Sequence, residues 1–195
     1  MLTTKDKILS VMIDHIKKET DIKNMSLSQI AIEAEIGKST VYEHFTSKED
    51  LILETYMFLL KHYEKILTSD IEKMDFKGAF IEQMSKITFV MKDAKMIMNA
   101  IMNNHQQAFP SFSKEIDLCV KNIQHVMDKR FESIIYLGVV EGILTMKTPK
   151  PYTKHIIQAL ISGLLFQYVN GEIEIDEMDL YELIFNQTVL VINQK

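Results

Sequence analysis

Residues 26–51 read SLSQIAIEAEIGKSTVYEHFTSKEDL, and their apolar spacing decides the fold. Leu27, Ile30, Ala31 and Ala34 recur at i, i+3, i+4 and i+7, the pattern of a helix with one buried face, and Ser26 or Ser28 supplies a capping hydroxyl. Glu35-Ile36-Gly37 interrupts that period. Gly37 can take the non-helical backbone at the start of the next helix, where glycine is tolerated. A second helix is predicted from about Lys38 to Phe45, with Val41 and Phe45, four apart, on its inner face. Lys38, Ser39, Thr40, Tyr42, Glu43 and His44 are left on the remaining surface, and their side chains are of the kinds that hydrogen-bond phosphates or base edges. Helix, short turn, helix, then a scaffold helix opening at Ser47 is a helix-turn-helix, a device for reading DNA.

Outward from this stretch the chain reads as all-α. Upstream, a helix capped by Thr3 or Thr4 buries Ile8 or Leu9, Met12 and Ile16. Downstream, Ile52, Tyr56, Leu59, Tyr63 and Ile66 form the inner stripe of a helix over about 47–69, with Ser47 as its cap and Glu49-Asp50 complementing its dipole. Phe80, Met84, Ile87 and Met91 predict a helix over about 76–91, followed by a shorter one over 94–105. After a break at 108–112, a long helix is expected to bury Ile116, Cys119 or Val120, Ile123, Met127 and Phe131 and to end near 138–142. Residues 145–151, TMKTPKP, read as a linker. Two last helices are predicted over about 152–170 and 176–193.

The segment 26–51 resembles the DNA-binding domain of the TetR family of transcriptional regulators. The matching residues are Ser26, Ile30, Ala31, Ala34, Thr40, Val41, Tyr42, His44, Phe45, Ser47, Lys48, Glu49 and Leu51. Core, cap and phosphate-contact positions therefore coincide in one register. Three features depart from the family pattern. Glu35 stands where a turn glycine is usual, Gly37 where a capping serine is usual, and the loop 19–25 lacks a glycine. A left-handed backbone at Glu35 would cost roughly 1–2 kcal/mol.

The resemblance implies a three-helix DNA-binding domain over 1–46, followed by a larger helical domain over 47–195 for effector binding and dimerisation. It also implies that Lys38, Ser39, Thr40 and Glu43 sample base edges while Ser26, Tyr42, His44 and Lys48 hold phosphates. Independently of family, the helix over 152–170 is apolar around most of its circumference, which suits either a partner surface or the centre of a monomeric bundle. The homodimer contact is expected at Ile156, Leu160, Gly163 and Leu164, paired with Leu180, Ile184, Gln187 and Val191. Gly163 costs stability mid-helix unless another helix approaches closely.

Methionine and phenylalanine concentrate in the middle of the chain, as they do in a deformable apolar pocket or an ordinary core. The expected pocket for a small, largely apolar effector draws on Tyr63, Phe80, Met84, Met91, Met98 and Met102, together with His105, Cys119, Ile123, Met127 and Phe131.

The net charge is −5, and within residues 1–50 seven lysines face nine acids, a net −2. That opposes strong non-specific DNA binding but leaves room for specific binding through a few aimed donors. The single cysteine, Cys119, excludes an internal disulfide framework and fits the cytoplasm. No signal-peptide core opens the chain, and the apolar run 156–169 is too short and too interrupted to span a membrane. No cofactor or enzymatic activity is expected: the six histidines form no HxxxH or HExxH pattern, and no glycine-rich phosphate loop occurs. His125, Asp128 and Glu132 share a helix face but read as solvated, so no metal is expected.

The expectation is a one-component regulator, a repressor, released from a palindromic DNA operator by an apolar effector. The alternative is a helical interaction protein that keeps the helix-turn-helix as scaffold and binds no DNA.

Overall fold

A computed structural model of the chain describes residues 3–18, 25–73, 75–104, 113–145 and 152–194, apart from the side chains of 96–104, 113 and 115. They form eight helices: α1 (Thr4–Lys17), α2 (Leu27–Glu33), α3 (Lys38–His44), α4 (Lys48–Leu67), α5 (Phe76–Asn104), α6 (Ser113–Val140), α7 (Thr153–Asn170) and α8 (Glu177–Asn193). No strand occurs among the described residues. Contacts divide the chain into two compact units, Met1–Glu64 with Asp93–Ile123, and Lys65–Lys92 with Gln124–Lys195.

In the first unit, polar side chains set each helix start. Thr3 Oγ1 accepts from Asp6 N at 3.1 Å while Asp6 Oδ2 accepts from Thr3 N at 3.0 Å, a reciprocal capping box. Ser26 Oγ accepts from Gln29 N at 3.1 Å, and Ser47 Oγ from Asp50 N at 3.1 Å. Most of the expected stripes are buried: Ile8, Leu9, Met12 and Ile16 on α1, Ile30 and Ala31 on α2 with Ala34 just after it, Val41 on α3 with Phe45 just after it, and Ile52, Tyr56, Leu59 and Tyr63 on α4, while Leu27 and Ile66 are half-buried. Each such large apolar side chain contributes roughly 1.5–3 kcal/mol relative to exposure.

The second unit has its own core, in which Phe76, Phe80 and Met84 of α5 meet Ile134 of α6, Ile161 and Leu165 of α7, and Leu180, Tyr181, Ile184 and Phe185 of α8. Phe80 and Phe185 meet edge to face, with centroids 5.5 Å apart. Gly138 on α6 permits this packing, because a Cβ there would lie 2.8 Å from the Phe76 ring.

The structure corrects two expectations about the elements. Residues 76–104 form one helix of 29 residues, not two. The polar pair Lys92-Asp93 reads as a break in sequence, yet neither residue stops a helix, and each finds a partner: Lys92 Nζ donates to Glu177 Oε2 at 2.5 Å, and Asp93 accepts from Lys17 and Tyr63. The expected stripe on α6 is covered only in part: Ile116, Cys119, Ile123, Met127 and Phe131 are half-buried and Val120 is exposed, while Ile134 is its fully buried apolar residue. Of the expected linker, Thr145 is held by Asn193 Oδ1, which accepts from its N–H at 2.9 Å, and residues 146–151 lie outside the described part.

Candidate nucleic-acid interface

The turn between α2 and α3 is closed by backbone hydrogen bonds. Ile36 N donates to Ala31 O at 3.0 Å and Glu35 N to Ile32 O at 3.1 Å, the paired bonds of a Schellman ending. This ending requires a left-handed residue just past the helix, and Glu35 fills that position with φ 57°. Two residues on, Gly37 has ordinary extended dihedrals, φ −70° and ψ 146°, and caps α3 without a side-chain hydrogen bond. Glycine is thus absent where the backbone calls for it and present where a serine would serve.

Along α3, at about 100° per residue, Val41 and Phe45 point into the unit. The diametrically opposite ridge consists of Ser39 and Glu43, one turn apart and both exposed. Tyr42, 54% exposed, and the half-buried Thr40 flank this ridge. Lys38 and His44 lie to the sides, nearer the body: Lys38 Nζ sits 6.0 Å from the Tyr42 ring centroid, and the His44 ring 6.3 Å from that of Phe45. Ser26 is exposed while capping α2. Lys48 is half-buried, and its Nζ donates to Met25 O at 2.6 Å, a bond the sequence did not suggest. Seven of the eight predicted DNA-contact residues therefore lie on or beside α2 and α3, and Lys48 opens α4.

Two further networks support the unit. His15 Nε2 meets Glu33 Oε2 at 2.5 Å, joining α1 to the end of α2. On α5, Asp93 accepts from Lys17 Nζ at 2.7 Å and from Tyr63 OH at 2.8 Å. Burial pushes the Asp93 carboxyl upward, but those two donors and the lysine charge outweigh it and hold the group below the ordinary carboxylate range. Burial, and then the bond to Asp93, push the Tyr63 hydroxyl well above the ordinary phenol range. Partners 76 and 30 residues apart leave no local signal in the sequence.

The predicted effector residues fall in both units. Tyr63, Cys119 and Ile123 belong to the first; Phe80, Met84, Met91, Met127 and Phe131 belong to the second. Phe80 and Met84 are fully buried core, while Met91, Met127 and Phe131 are half-buried. The side chains of Met98, Met102 and His105 lie outside the described residues. Sequence reasoning missed Gln83, a buried residue on the inner stripe of α5. Its Nε2 donates to Leu67 O at 3.2 Å and reaches Met127 Sδ at 3.7 Å, leaving Oε1 with no partner among the described residues. A cleft of about 830 Å³ in the second unit is lined instead by Ile71, Lys73, Lys129, Arg130, Tyr136 and Leu137 among others, none of them predicted.

On the dimer surface the structure turns α8 relative to expectation. Leu180 and Ile184 are 0% exposed within one chain, packed against α5 and α7, so they have no area left for a partner. The free apolar surface of α8 belongs to Met178, Leu183 and Leu190, with half-buried Gln187 and Val191 alongside. On α7, Ile156 is exposed, Leu160, Gly163 and Leu164 are half-buried, and Phe166 adds exposed surface.

Residues 18–55 match the family model for bacterial regulatory proteins of the tetR family. The match covers α2, α3 and the turn described above, so this segment is similar to the DNA-binding segment of that family. Solved structures share the fold along the whole chain. A TetR-family protein of Vibrio parahaemolyticus superposes with a TM-score of 0.61 at 18% identity, over 99% of this chain and 100% of its own. The regulator PfmR of Thermus thermophilus does so with 0.58 at 18%, over 100% and 98%. The regulator FadR of Bacillus subtilis, solved in complex with stearoyl-CoA, gives 0.59 at 17%, over 94% and 96%. At these identities the likeness is one of fold. No curated protein matches the chain. Among the described residues, no helix is long and apolar enough to cross a membrane.

Proposed function

We propose that this regulator is a one-component repressor. As a homodimer it places two copies of α3 in successive major grooves of a palindromic operator, and a small, largely apolar effector releases it. The observation that carries this reading is the exposed ridge of α3: Ser39 and Glu43, flanked by Thr40 and Tyr42, all with hydrogen-bonding groups, on a helix whose opposite face is fully buried. Lys48, whose Nζ donates to Met25 O, holds a phosphate in this reading. Residues 1–46 form the DNA-binding domain and 47–195 the effector and dimerisation domain.

Dimerisation is supported by Ile156, Phe166, Leu183 and Leu190, whose exposure in one chain gives an apolar surface on α7 and α8, and by the open space over Gly163. The effector reading draws on half-buried Met91, Met127 and Phe131 and on the buried Gln83, which reaches Met127 Sδ and whose free oxygen can accept from a ligand donor. Since the fold relative from Bacillus subtilis was solved with stearoyl-CoA, long-chain acyl thioesters are the first class to test. The protein acts in the cytoplasm and is not an enzyme. The alternative of a non-DNA-binding interaction protein draws on the net −2 of residues 1–50.

One experiment separates the two. Purified protein is titrated against duplexes from the region flanking its own gene, and acyl-CoAs of graded chain length are then added. The proposal expects a specific complex and its dissociation by those thioesters that also raise the thermal midpoint. Binding no tighter than to random DNA would leave the interaction-protein reading standing.

A further inference from the structure

We infer that Glu43 reads a cytosine in each operator half-site and makes the regulator selective at the expense of general DNA affinity; this rests on the DNA-binding reading above. Glu43 shares the outermost ridge of α3 with Ser39, directly opposite buried Val41 and Phe45. Three other carboxylates of the same unit are occupied: Glu33 by His15, Asp50 by the Thr46 N–H and hydroxyl, and Glu54 by Lys5. Glu43 has no hydrogen-bond or ion-pair partner among the described residues. An unpaired acidic side chain therefore stands at the part of the helix that enters the groove first.

That side chain has a restricted set of partners on DNA. A carboxylate only accepts, and it is repelled by the phosphates, so on random sequence Glu43 costs affinity. In the major groove guanine presents the acceptors O6 and N7, and thymine presents O4 and a methyl group, so both leave the carboxylate unpaired. Adenine offers its N6 amino group, but beside the acceptor N7. Cytosine offers its N4 amino group with no neighbouring acceptor on the same base, which makes it the best partner. Ser39 and Thr40, which both donate and accept, discriminate less. Base identity at the Glu43 position is thus the strongest sequence requirement that α3 imposes.

The test is selection from a random duplex library by the full-length protein and by the variants Glu43→Gln and Glu43→Ala, followed by sequencing of the bound pools. The wild type should enrich a two-fold symmetric motif with a cytosine at one equivalent position in each half, favoured over guanine and thymine by about ten- to a hundredfold. Glu43→Gln should move that position to adenine, which an amide pairs at N6 and N7, and leave the rest of the motif unchanged. Glu43→Ala should lose the preference there and bind random duplex several-fold more tightly. Melting followed by circular dichroism should keep all three proteins equally folded, since the side chain is exposed and unpaired. A wild-type motif without that cytosine, or the same motif for all three proteins, would overturn the assignment while DNA binding stands. Failure of the wild type to enrich any motif would overturn the DNA-binding reading and the inference with it.

Discussion

Glu35 holds a left-handed backbone, φ 57°, that costs a residue with a Cβ about 1–2 kcal/mol. Glu35→Gly removes that strain but adds freedom to the unfolded chain, so the net stabilisation should be about 0.5–1 kcal/mol, a rise of a few degrees in the thermal midpoint of a chain this size. Gly37 calls for the opposite change. Its dihedrals suit any residue, and a Cβ there would meet Ser39 Oγ and Thr40 Oγ1 at 3.6 Å, an ordinary contact. Gly37→Ser should therefore stabilise by about 0.5 kcal/mol through the cap it supplies and the freedom it removes. Thermal or denaturant unfolding checks both, and an unchanged or lowered midpoint for Glu35→Gly would show that the strain has another origin. Lys48→Ala should weaken binding on every DNA sequence and lower the salt slope by about one, as loss of a phosphate contact does. An unchanged slope would confine Lys48 to a structural role such as its bond with Met25 O.

In α5, Asp93 is the residue whose loss should be most visible. It joins Lys17 of α1 to Tyr63 of α4 through bonds of 2.7 and 2.8 Å at a partly exposed site, so Asp93→Asn should cost about 1 kcal/mol after allowance for solvent screening. Because the folded carboxyl lies below its ordinary range, this stabilisation is complete above about pH 5 and is lost as pH falls through the folded value, below about pH 4. Melting from pH 7 to pH 3 should show the gap between wild type and Asp93→Asn closing at the acid end; a constant gap would contradict it. The pair also shows where sequence reading stops. Caps and stripes repeat within one turn, so Ser26, Ser47, Ile30, Val41 and Tyr56 were legible. The partner of Asp93 lies 76 residues away, and the polar step Lys92-Asp93 looks like a helix end until its partners are known. On α8 the same limit misplaced the outer face. Leu180, Ile184, Gln187 and Val191 do form a stripe, but spacing cannot say whether a stripe meets the chain's own core or a partner, and Leu180 and Ile184 meet the core.

For the assembled molecule, the surface left open on α7 and α8 sets the test of dimerisation. Leu190 is 55% exposed in one chain, so Leu190→Asp should leave each chain folded and split the dimer, as read by sedimentation together with circular dichroism. A folded dimer carrying this substitution would place the interface elsewhere. In the proposed function dimerisation matters because two weakly charged reading heads, net −2 over residues 1–50, would have to act together to hold DNA at physiological salt. The most direct test of the whole account is therefore fluorescence anisotropy of labelled duplex, comparing the region flanking the gene with a scrambled control over a range of salt. Two chains should bind per site, with half-sites about one helical turn apart and specific binding at least about a thousandfold tighter than to the control. Equal affinity for both duplexes at every salt concentration would contradict it.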